Sequence, residues 1–289
     1  MLKGLLKTMR PKQWTKNLFL FAALVFDEKL FKPVFLSKTV AGFALFCLIS
    51  SVVYLINDLV DIEKDRQHPG KRHRPLPSGQ LSPLAAAGAA VLITLICLPL
   101  AFHLDRFFGL ITITYLTTMI LYSFFLKNIV IIDVLTVAAG FVLRVVAGVA
   151  LVDVVRFSPW LYVCTTLLAL FLGFSKRRHE LMLLQDNAEE HRSSLQEYSL
   201  HLLDEMIAVV TSATVVAYSL YTFTAPNMPQ NYAMMLTIPF VLYGIFRYLY
   251  LIHCKNEGGS PEEILIKDKP LIADIGLWGL AVVLILYLF

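Results

Sequence analysis

Long apolar runs constrain this chain more than any other feature of its sequence. Of its 289 residues, 57% are hydrophobic and 16% are charged, whereas an ordinary globular protein has about 25% charged residues. An apolar run of about 18 residues is long enough to cross a bilayer as a helix, which satisfies its own backbone hydrogen bonds in lipid. The sequence therefore predicts an all-α integral membrane protein. It excludes a soluble enzyme, a nucleic-acid-binding domain and a disordered protein.

The apolar runs predict nine membrane-spanning helices in a single domain that covers residues 1–289. The first span is the weakest, because four charged residues between positions 27 and 32 interrupt it. The predicted spans are 17–35, 38–57, 82–104, 107–126, 129–152, 158–174, 203–223, 231–252 and 270–289.

The placement of the positive charges predicts how the helices are oriented. Loops on the side of the N-terminus hold 18 of the 25 Lys and Arg residues, the opposite side holds five, and two lie within spans. Cytoplasmic loops carry the excess of Lys and Arg in membrane proteins. We therefore expect a cytoplasmic N-terminus, an external C-terminus and a polar cavity that faces the cytoplasm.

An acidic motif follows the second span. Asp58, Asp61 and Asp65 are spaced i, i+3 and i+7, so they share one face of a continuing helix, with Asn57 beside them. Carboxylates on one face repel each other unless cations neutralise them. Proteins commonly hold Mg²⁺ with a few carboxylates together with substrate phosphates and water. We therefore expect these four residues to hold Mg²⁺, or alternatively Mn²⁺, against a pyrophosphate; the other interpretation is a solvated helix end with fortuitous spacing.

A basic loop, residues 68–79, continues from the acidic motif and ends in a turn rich in proline and glycine. It contains Lys71 and Arg74. Arginine is suited to fork-like phosphate contacts and lysine to point-charge contacts. An ordinary positive loop on the cytoplasmic side would have the same composition. Its position beside the acidic motif favours phosphate binding.

These two stretches carry a family resemblance. The pattern Asn57-Asp58-x-x-Asp61-x-x-x-Asp65, followed by Arg74-Pro75-Leu76-Pro77-Ser78-Gly79, resembles the first signature of the UbiA-type membrane prenyltransferase superfamily. The resemblance implies a nine-helix fold and Mg²⁺-dependent transfer of a group from a pyrophosphate donor.

The chain departs from the superfamily pattern after span 6. Typical members have a second aspartate-rich motif there, whereas residues 173–180 of this chain hold three adjacent cations, Lys176, Arg177 and Arg178, and the carboxylate of Glu180. We interpret this stretch as one that contacts phosphate directly. The alternative is a positive cluster that only marks the cytoplasmic end of a span.

Three other segments, residues 10–17, 122–127 and 140–144, resemble the decaprenyl-phosphate phosphoribosyltransferase branch of the superfamily. That branch implies 5-phosphoribosyl 1-pyrophosphate as donor, a polyprenyl phosphate as acceptor and a site in the bacterial cytoplasmic (inner) membrane. A donor with a further phosphate and a phosphate acceptor would both favour additional cations. The rival interpretations are a prenyltransferase that acts on an aromatic or other small acceptor, and a non-enzymatic transporter or scaffold.

The remaining site residues complete the hypothesis, which leaves the oligomeric state open, a homo-oligomer included. Lys16 and Lys127 lie at predicted cytoplasmic helix ends, where they would bind phosphate or only snorkel to the interface. Arg144 lies within a span, where it is either functional or part of a structural ion pair with Asp133. The expected catalytic residues are Asp58, Asp61, Asp65, Lys16 and Lys127. The expected substrate-binding residues are Asn57, Lys71, Arg74, Tyr122, Arg144, Lys176, Arg177, Arg178 and Glu180.

Overall fold

A computed structural model describes residues 2–67, 70–154, 158–184, 193–225, 228–255, 261, 264 and 267–288. All regular secondary structure in these ranges is helical. The α-helices are α1 (Leu2–Met9), α2 (Phe21–Phe26), α3 (Pro33–Val60), α4 (Ile62–Gln67), α5 (Pro83–Leu104), α6 (Arg106–Phe124), α7 (Ile132–Val152), α8 (Pro159–Leu184), α9 (Ser193–Gln196), α10 (Leu200–Thr224), α11 (Ile238–Cys254) and α12 (Lys269–Leu288). Four 3₁₀-helices cover Pro11–Leu20, Lys71–His73, Leu126–Asn128 and Ala233–Thr237.

Eight helical segments of the described residues are long and apolar enough to cross a membrane. They are α3, α5, α6, α7, α8, α10, α12 and the segment Ala233–Cys254, which joins a 3₁₀-helix to α11. These segments correspond to predicted spans 2 to 9. The largest difference is at α8, which continues to Leu184 through the basic stretch instead of ending at residue 174. Residue 289, the end of the last predicted span, lies outside the described residues.

The first predicted span, residues 17–35, is not one helix. The 3₁₀-helix Pro11–Leu20 leads into the short α2, which ends at Phe26, and α3 begins only at Pro33. Between them Glu28 has a left-handed backbone conformation (φ 53°), and the ammonium of Lys29 donates to the carbonyl oxygens of Val152 (2.8 Å) and Asp153 (2.9 Å). The charged residues thus break the segment and start a new helix. The prediction of nine spans is therefore not confirmed.

Local capping explains where several helices begin. The Ser82 hydroxyl accepts a hydrogen bond from the Ala85 amide (3.2 Å), and Pro83 occupies the first turn of α5. Asp105 caps α6 in the same way, with its carboxylate accepting from the Phe108 amide at 2.8 Å. Such caps satisfy backbone donors that a helix start leaves without partners. They explain why α5 and α6 begin within a residue or so of the predicted boundaries.

The described chain forms two compact units. The first comprises residues 1–24, 29–136 and 143–154. Its apolar core includes the fully buried rings of Phe46 on α3 and Phe108 on α6, whose centroids are 6.0 Å apart. Tyr115, two turns further along α6, packs on Phe46 with a centroid distance of 4.9 Å. This unit carries the complete acidic motif.

The second unit comprises residues 25–28, 137–142 and 155–289. Its core gathers aromatic side chains of α10 and α12, and the Trp278 indole donates a 2.8 Å hydrogen bond to the Tyr218 hydroxyl. Met234 is fully buried in the same cluster. This unit carries the basic stretch at the end of α8. The single domain over 1–289 stays a prediction.

Candidate active site

The three aspartates lie where α3 passes into α4. The α3 helix ends at Val60, and Asp61 occupies the junction before α4 begins at Ile62. Helical hydrogen bonds nevertheless continue across it, because the Asp61 amide donates to the Asn57 carbonyl (3.0 Å) and the Asp65 amide to the Asp61 carbonyl (2.8 Å). The predicted continuing helix is therefore nearly right. Asp58 and Asp65 are buried, with 2% and 3% of their surface exposed.

Cations from other parts of the first unit hold these carboxylates. Arg10, at the start of the N-terminal 3₁₀-helix, donates from Nη2 to Asp58 Oδ1 at 2.5 Å across 48 residues of sequence. Arg74 donates from Nη1 to Asp65 Oδ2 at 2.6 Å. Lys71 lies at the limit of an ion pair with Asp65, at 4.0 Å. A buried carboxylate must be paired to remain charged. Asp58 and Asp65 each have a cationic partner.

Lys127 is the partner of the third aspartate. Its ammonium donates to both carboxylate oxygens of Asp61, at 2.6 and 2.7 Å. The lysine is 4% exposed, although it lies in a short 3₁₀-helix beyond the end of α6. The interpretation as a lysine that only snorkels to the interface is therefore wrong. A buried ammonium that donates to both oxygens of one carboxylate fixes the position of that carboxylate.

The donor chemistry of the motif fits a divalent cation, although the described residues contain no ready-made cluster of three metal-ligating side chains. Arg74 Nη1 lies 2.6 Å from Asp65 Oδ2 and 3.5 Å from Asp58 Oδ1, so one cationic nitrogen bridges two carboxylates. A hard divalent cation prefers the same oxygen atoms. Asp58 and Asp65 are therefore the pair best placed to hold a metal ion, whereas Asp61 is engaged by Lys127. Metal binding by the four predicted ligands stays a prediction.

Arg10 is the main site residue that the sequence does not predict. It lies within residues 10–17, whose resemblance assigns it no role. The structure stacks its guanidinium on the Tyr54 ring, 4.9 Å from the centroid, while it pairs with Asp58. The signal was present in α3, where Cys47, Ser51, Tyr54 and Asp58 repeat at a spacing of three or four residues.

Three other predicted residues, Lys16, Tyr122 and Asn57, also lie in the first unit. Lys16 is half-buried in the 3₁₀-helix Pro11–Leu20, and Tyr122 is half-buried near the end of α6. Asn57 supplies its backbone carbonyl to the α3–α4 junction. Residues 68 and 69, at the start of the basic loop 68–79, lie outside the described residues. The roles of Lys16, Tyr122 and the Asn57 side chain stay predictions.

Arg144 is buried in the first unit and donates hydrogen bonds to two uncharged side chains. Its Nε donates to Asn17 Oδ1 at 2.7 Å and its Nη2 to the Tyr115 hydroxyl at 2.8 Å. Eleven helical residues rise about 16 Å, so a shared helix face does not bring Asp133 to Arg144. The alternative of an ion pair between those two residues is therefore wrong.

The basic stretch after span 6 lies within α8 in the second unit. Arg177 is buried and pairs with Glu180 one turn later. Arg178 donates from Nε to Asp204 Oδ1 on α10 at 2.5 Å. Lys176, the first of the three cations, is half-buried. Arg177 and Arg178 therefore each have a carboxylate partner, and Asp204 is one that lies outside the predicted site.

A further ion pair of the second unit lies outside the predicted site. Arg247 on α11 donates to both carboxylate oxygens of Asp268, at 3.1 and 2.8 Å. The Arg247 hydrogen bonds hold the pKa of Asp268 below its ordinary value. Asp268 also accepts from the Leu271 amide at 2.9 Å, so it caps the start of α12. We assign this pair a structural role.

Fold and site together define an integral membrane protein with an acidic motif at the end of a spanning helix. Residues 18–262 match the family described as the UbiA prenyltransferase family, and the chain belongs to that family. The fold is similar to the structure of a UbiA homologue from Archaeoglobus fulgidus bound to GPP and Mg²⁺, with a TM-score of 0.74 and 19% identity. That match covers 97% of this chain and 99% of the other. The resemblance read from the motifs is confirmed.

Two curated relatives narrow the comparison. The chain is 32% identical to a decaprenyl-phosphate phosphoribosyltransferase of Mycolicibacterium smegmatis, over 98% of this chain and 93% of that protein. It is 29% identical to a decaprenyl-phosphate phosphoribosyltransferase of Corynebacterium glutamicum, over 99% of this chain and 87% of that protein. The branch suggested by residues 10–17, 122–127 and 140–144 is therefore the one in which these relatives fall.

Proposed function

We propose that this protein transfers a 5-phosphoribosyl group from phosphoribosyl pyrophosphate to a polyprenyl phosphate of the decaprenyl type and releases pyrophosphate. The observation that carries the proposal is the 32% identity to a decaprenyl-phosphate phosphoribosyltransferase over 98% of the chain. The excess of cations after span 6, in place of a second aspartate motif, supports the same donor. The protein would act at the cytoplasmic face of the bacterial inner membrane, with its N-terminus on that side.

The reaction exchanges one bond at ribose C1. The bond from C1 to the pyrophosphate oxygen breaks, and its electron pair leaves with pyrophosphate, while an oxygen of the acceptor phosphate forms the new bond to C1. A phosphate monoester is largely ionised near neutral pH, because its second pKa is about 6. The acceptor oxygen therefore needs no strong general base. Catalysis rests mainly on positioning and electrostatic stabilisation.

The acidic motif would hold the donor pyrophosphate through Mg²⁺. Asp58 and Asp65 are the ligands that the Arg74 bridge favours, with Asn57 as a supporting group. When bound, Mg²⁺ would neutralise the charge that develops on the leaving pyrophosphate and fix its orientation. Lys127 would keep Asp61 in place beside that pair, which is the catalytic contribution that its two hydrogen bonds support.

The basic residues would hold the other phosphates. Lys71 and Arg74 are the candidates nearest the motif, and Arg74 can turn from Asp65 to a phosphate oxygen when a metal ion takes the carboxylates. Lys176, Arg177 and Arg178, with Glu180 orienting Arg177, are the candidates for the ribose 5-phosphate. We place Lys16 and Tyr122 among the groups that bind pyrophosphate or acceptor phosphate.

A donor assay tests the proposal. Purified protein in detergent receives polyprenyl phosphate, Mg²⁺ and either labelled phosphoribosyl pyrophosphate or a labelled isoprenyl pyrophosphate, and lipid-linked label is measured. We expect label in lipid from the phosphoribosyl donor and release of one pyrophosphate for each product formed. Consumption of the isoprenyl donor alone would show a prenyltransferase. Failure to turn over either donor would favour a transporter or scaffold.

A further inference from the structure

A polar stripe on α3 contacts the N-terminal 3₁₀-helix, residues 11–20, at Trp14 and Asn17. The Ser51 hydroxyl accepts from the Trp14 indole Nε1 at 3.0 Å. Its one hydrogen is shared between the Met9 carbonyl (3.1 Å) and the Cys47 carbonyl of its own helix (2.8 Å). One turn before it, Cys47 and Ser50 receive the side-chain amide of Asn17, at 3.3 and 3.2 Å. The contacts therefore lie on both sides of residue 10 and at the far end of the segment.

This segment is an unusual structure that needs outside support. A 3₁₀-helix rarely continues beyond three or four residues, yet this one has ten. Arg10, which precedes it, has a left-handed backbone (φ 53°, ψ 62°) that a residue other than glycine seldom adopts. Such conformations persist where the surroundings determine them. The contacts with α3 and α7 are the surroundings that do so.

Asn17 and Arg144 fix the far end of the segment. Asn17 has no exposed surface, and its carbonyl oxygen accepts from Arg144 Nε while its amide reaches α3. One turn along α7, a Cβ on Gly148 would lie 2.0 Å from the Leu20 carbonyl oxygen. Only glycine lets the two backbones approach so closely. The two observations independently lock the segment against α7 in one register.

We propose that Asn17 and Arg144 are positioning residues, which fix the register of the N-terminal segment and thereby hold Arg10 against Asp58. Arg10 connects this segment to the acidic motif, because its Nη2 lies 2.5 Å from Asp58 Oδ1. Arg144 acts from a distance through Asn17, and this explains a buried arginine without assigning it to the substrate. The proposal rests on the proposed function only in that the site takes a pyrophosphate.

Binding of inorganic pyrophosphate with Mg²⁺, measured by calorimetry on the purified full chain, provides the test. Pyrophosphate is the product of any pyrophosphate donor, so the result stands whichever donor the enzyme uses. Replacing Arg10 by alanine removes a cation beside the motif, and we expect about tenfold weaker binding, equivalent to about 1.4 kcal/mol. Asn17→Ala should weaken binding at least threefold by loosening Arg10.

The double variant distinguishes positioning from mere stabilisation. If Asn17 acts through Arg10, then Arg10→Ala with Asn17→Ala should bind no more weakly than Arg10→Ala alone, because coupled effects are not additive. Additive losses would overturn the proposal. So would an Asn17→Ala protein that unfolds at lower temperature but binds pyrophosphate as the wild type does.

Three further variants guard the test. Asn17→Ser keeps a small polar group and should restore part of the affinity if the alanine variant fails to fold. Arg144→Lys keeps the charge but cannot make both fixed guanidinium contacts, and Gly148→Ala displaces Leu20, so both should weaken pyrophosphate binding. Thr15→Ala is the matched control, since its exposed hydroxyl bonds only to the Lys12 carbonyl within the segment, and it should bind normally. Wild-type affinity in both Arg144→Lys and Gly148→Ala would contradict the proposal.

Discussion

The acidic motif of the first unit and the basic stretch of the second unit hold their charges in different ways. Asp58 and Asp61 take cations from 48 and 66 residues away in sequence, Arg10 and Lys127. Arg177 instead pairs with a residue of the same helix turn, Glu180. Long-range pairs exist only when the fold is complete, whereas a pair three residues apart needs only a helix. The acidic motif is therefore organised by tertiary structure, whereas the basic stretch combines this local pair with one tertiary pair, Arg178 and Asp204.

The two regions also differ in the charge that their sequences concentrate, three aspartates in one and three adjacent cations in the other. In the acidic motif Arg10, Arg74 and Lys127 hold the aspartates, with Lys71 at the limit of an ion pair. In the basic stretch Glu180 and Asp204 pair with Arg177 and Arg178. We propose a metal-bound pyrophosphate for the first region and a phosphate bound directly for the second. The predictions below separate these two behaviours.

Removing a carboxylate from the acidic motif should have the largest effect. Asp58→Asn keeps the size of the side chain but removes the charge that would hold Mg²⁺, and we expect a loss of activity of at least about 100-fold. Initial rates measured across a Mg²⁺ titration check this. Glu63→Gln is the matched control, because Glu63 is an exposed carboxylate of the same region that pairs only with Arg66. Full activity of Asp58→Asn at limiting and saturating Mg²⁺ would remove the metal proposal.

The pair of Lys127 and Asp61, whose side chains are 5% and 17% exposed, should give the largest loss of stability. Lys127→Met leaves Asp61 with an uncompensated charge, which costs about 3–5 kcal/mol in a fully buried pair and less where one partner reaches solvent. Thermal unfolding in detergent should shift down by several degrees. Adding Asp61→Asn should recover most of the loss, because the remaining charge is then removed as well. A double variant less stable than Lys127→Met would mean that the pair does not act as a unit.

Substitution in the basic stretch should affect substrate binding rather than the metal requirement. Arg178→Gln would remove the proposed phosphate contact, and we expect the KM for the donor to rise about tenfold with kcat nearly unchanged. The Mg²⁺ dependence should remain that of the wild type. Asp204→Asn is the control, because it breaks the same ion pair but leaves the arginine. If both variants raise KM equally, the role of Arg178 is structural.

The sequence predicted those parts of the molecule that depend on local rules. The spacing of Asp58, Asp61 and Asp65 places them correctly on successive turns. The predicted spans that start at residues 82 and 107 begin within one residue of α5 and α6. The same local rules failed in residues 17–35, where total hydrophobicity suggested a span but charged residues and Pro33 broke the helix. Periodicity gives the face of a residue and says nothing of the chain packed on that face.

The partners of the acidic motif could not be predicted for this reason. Arg10 reaches Asp58 only because the N-terminal segment lies along α3. The sequence around either residue does not predict that packing. Arg144 and Asp133 show the converse error, since they share a helix face but are separated by about 16 Å along the axis. For Arg10 the missing information was which segment packs on α3. For Arg144 it was the distance along the helix axis.

The pair of Arg247 and Asp268 in the second unit differs from the pair of Lys127 and Asp61 in its cation, because the Arg247 side chain is 27% exposed and that of Lys127 only 5%. It should have the smallest effect. The pKa of Asp268 is lowered in the folded protein, so its contribution to stability is present above the unfolded value of about 3.9 and is lost as pH falls through the lower folded value. Solvent screens the partly exposed Arg247 guanidinium, so the pair should contribute little to stability. Asp268→Asn should therefore lower the unfolding temperature at pH 7 by only about 2 °C. The difference from wild type should disappear at the acid end of a pH series, and a difference that grows with acidity would contradict the lowered pKa.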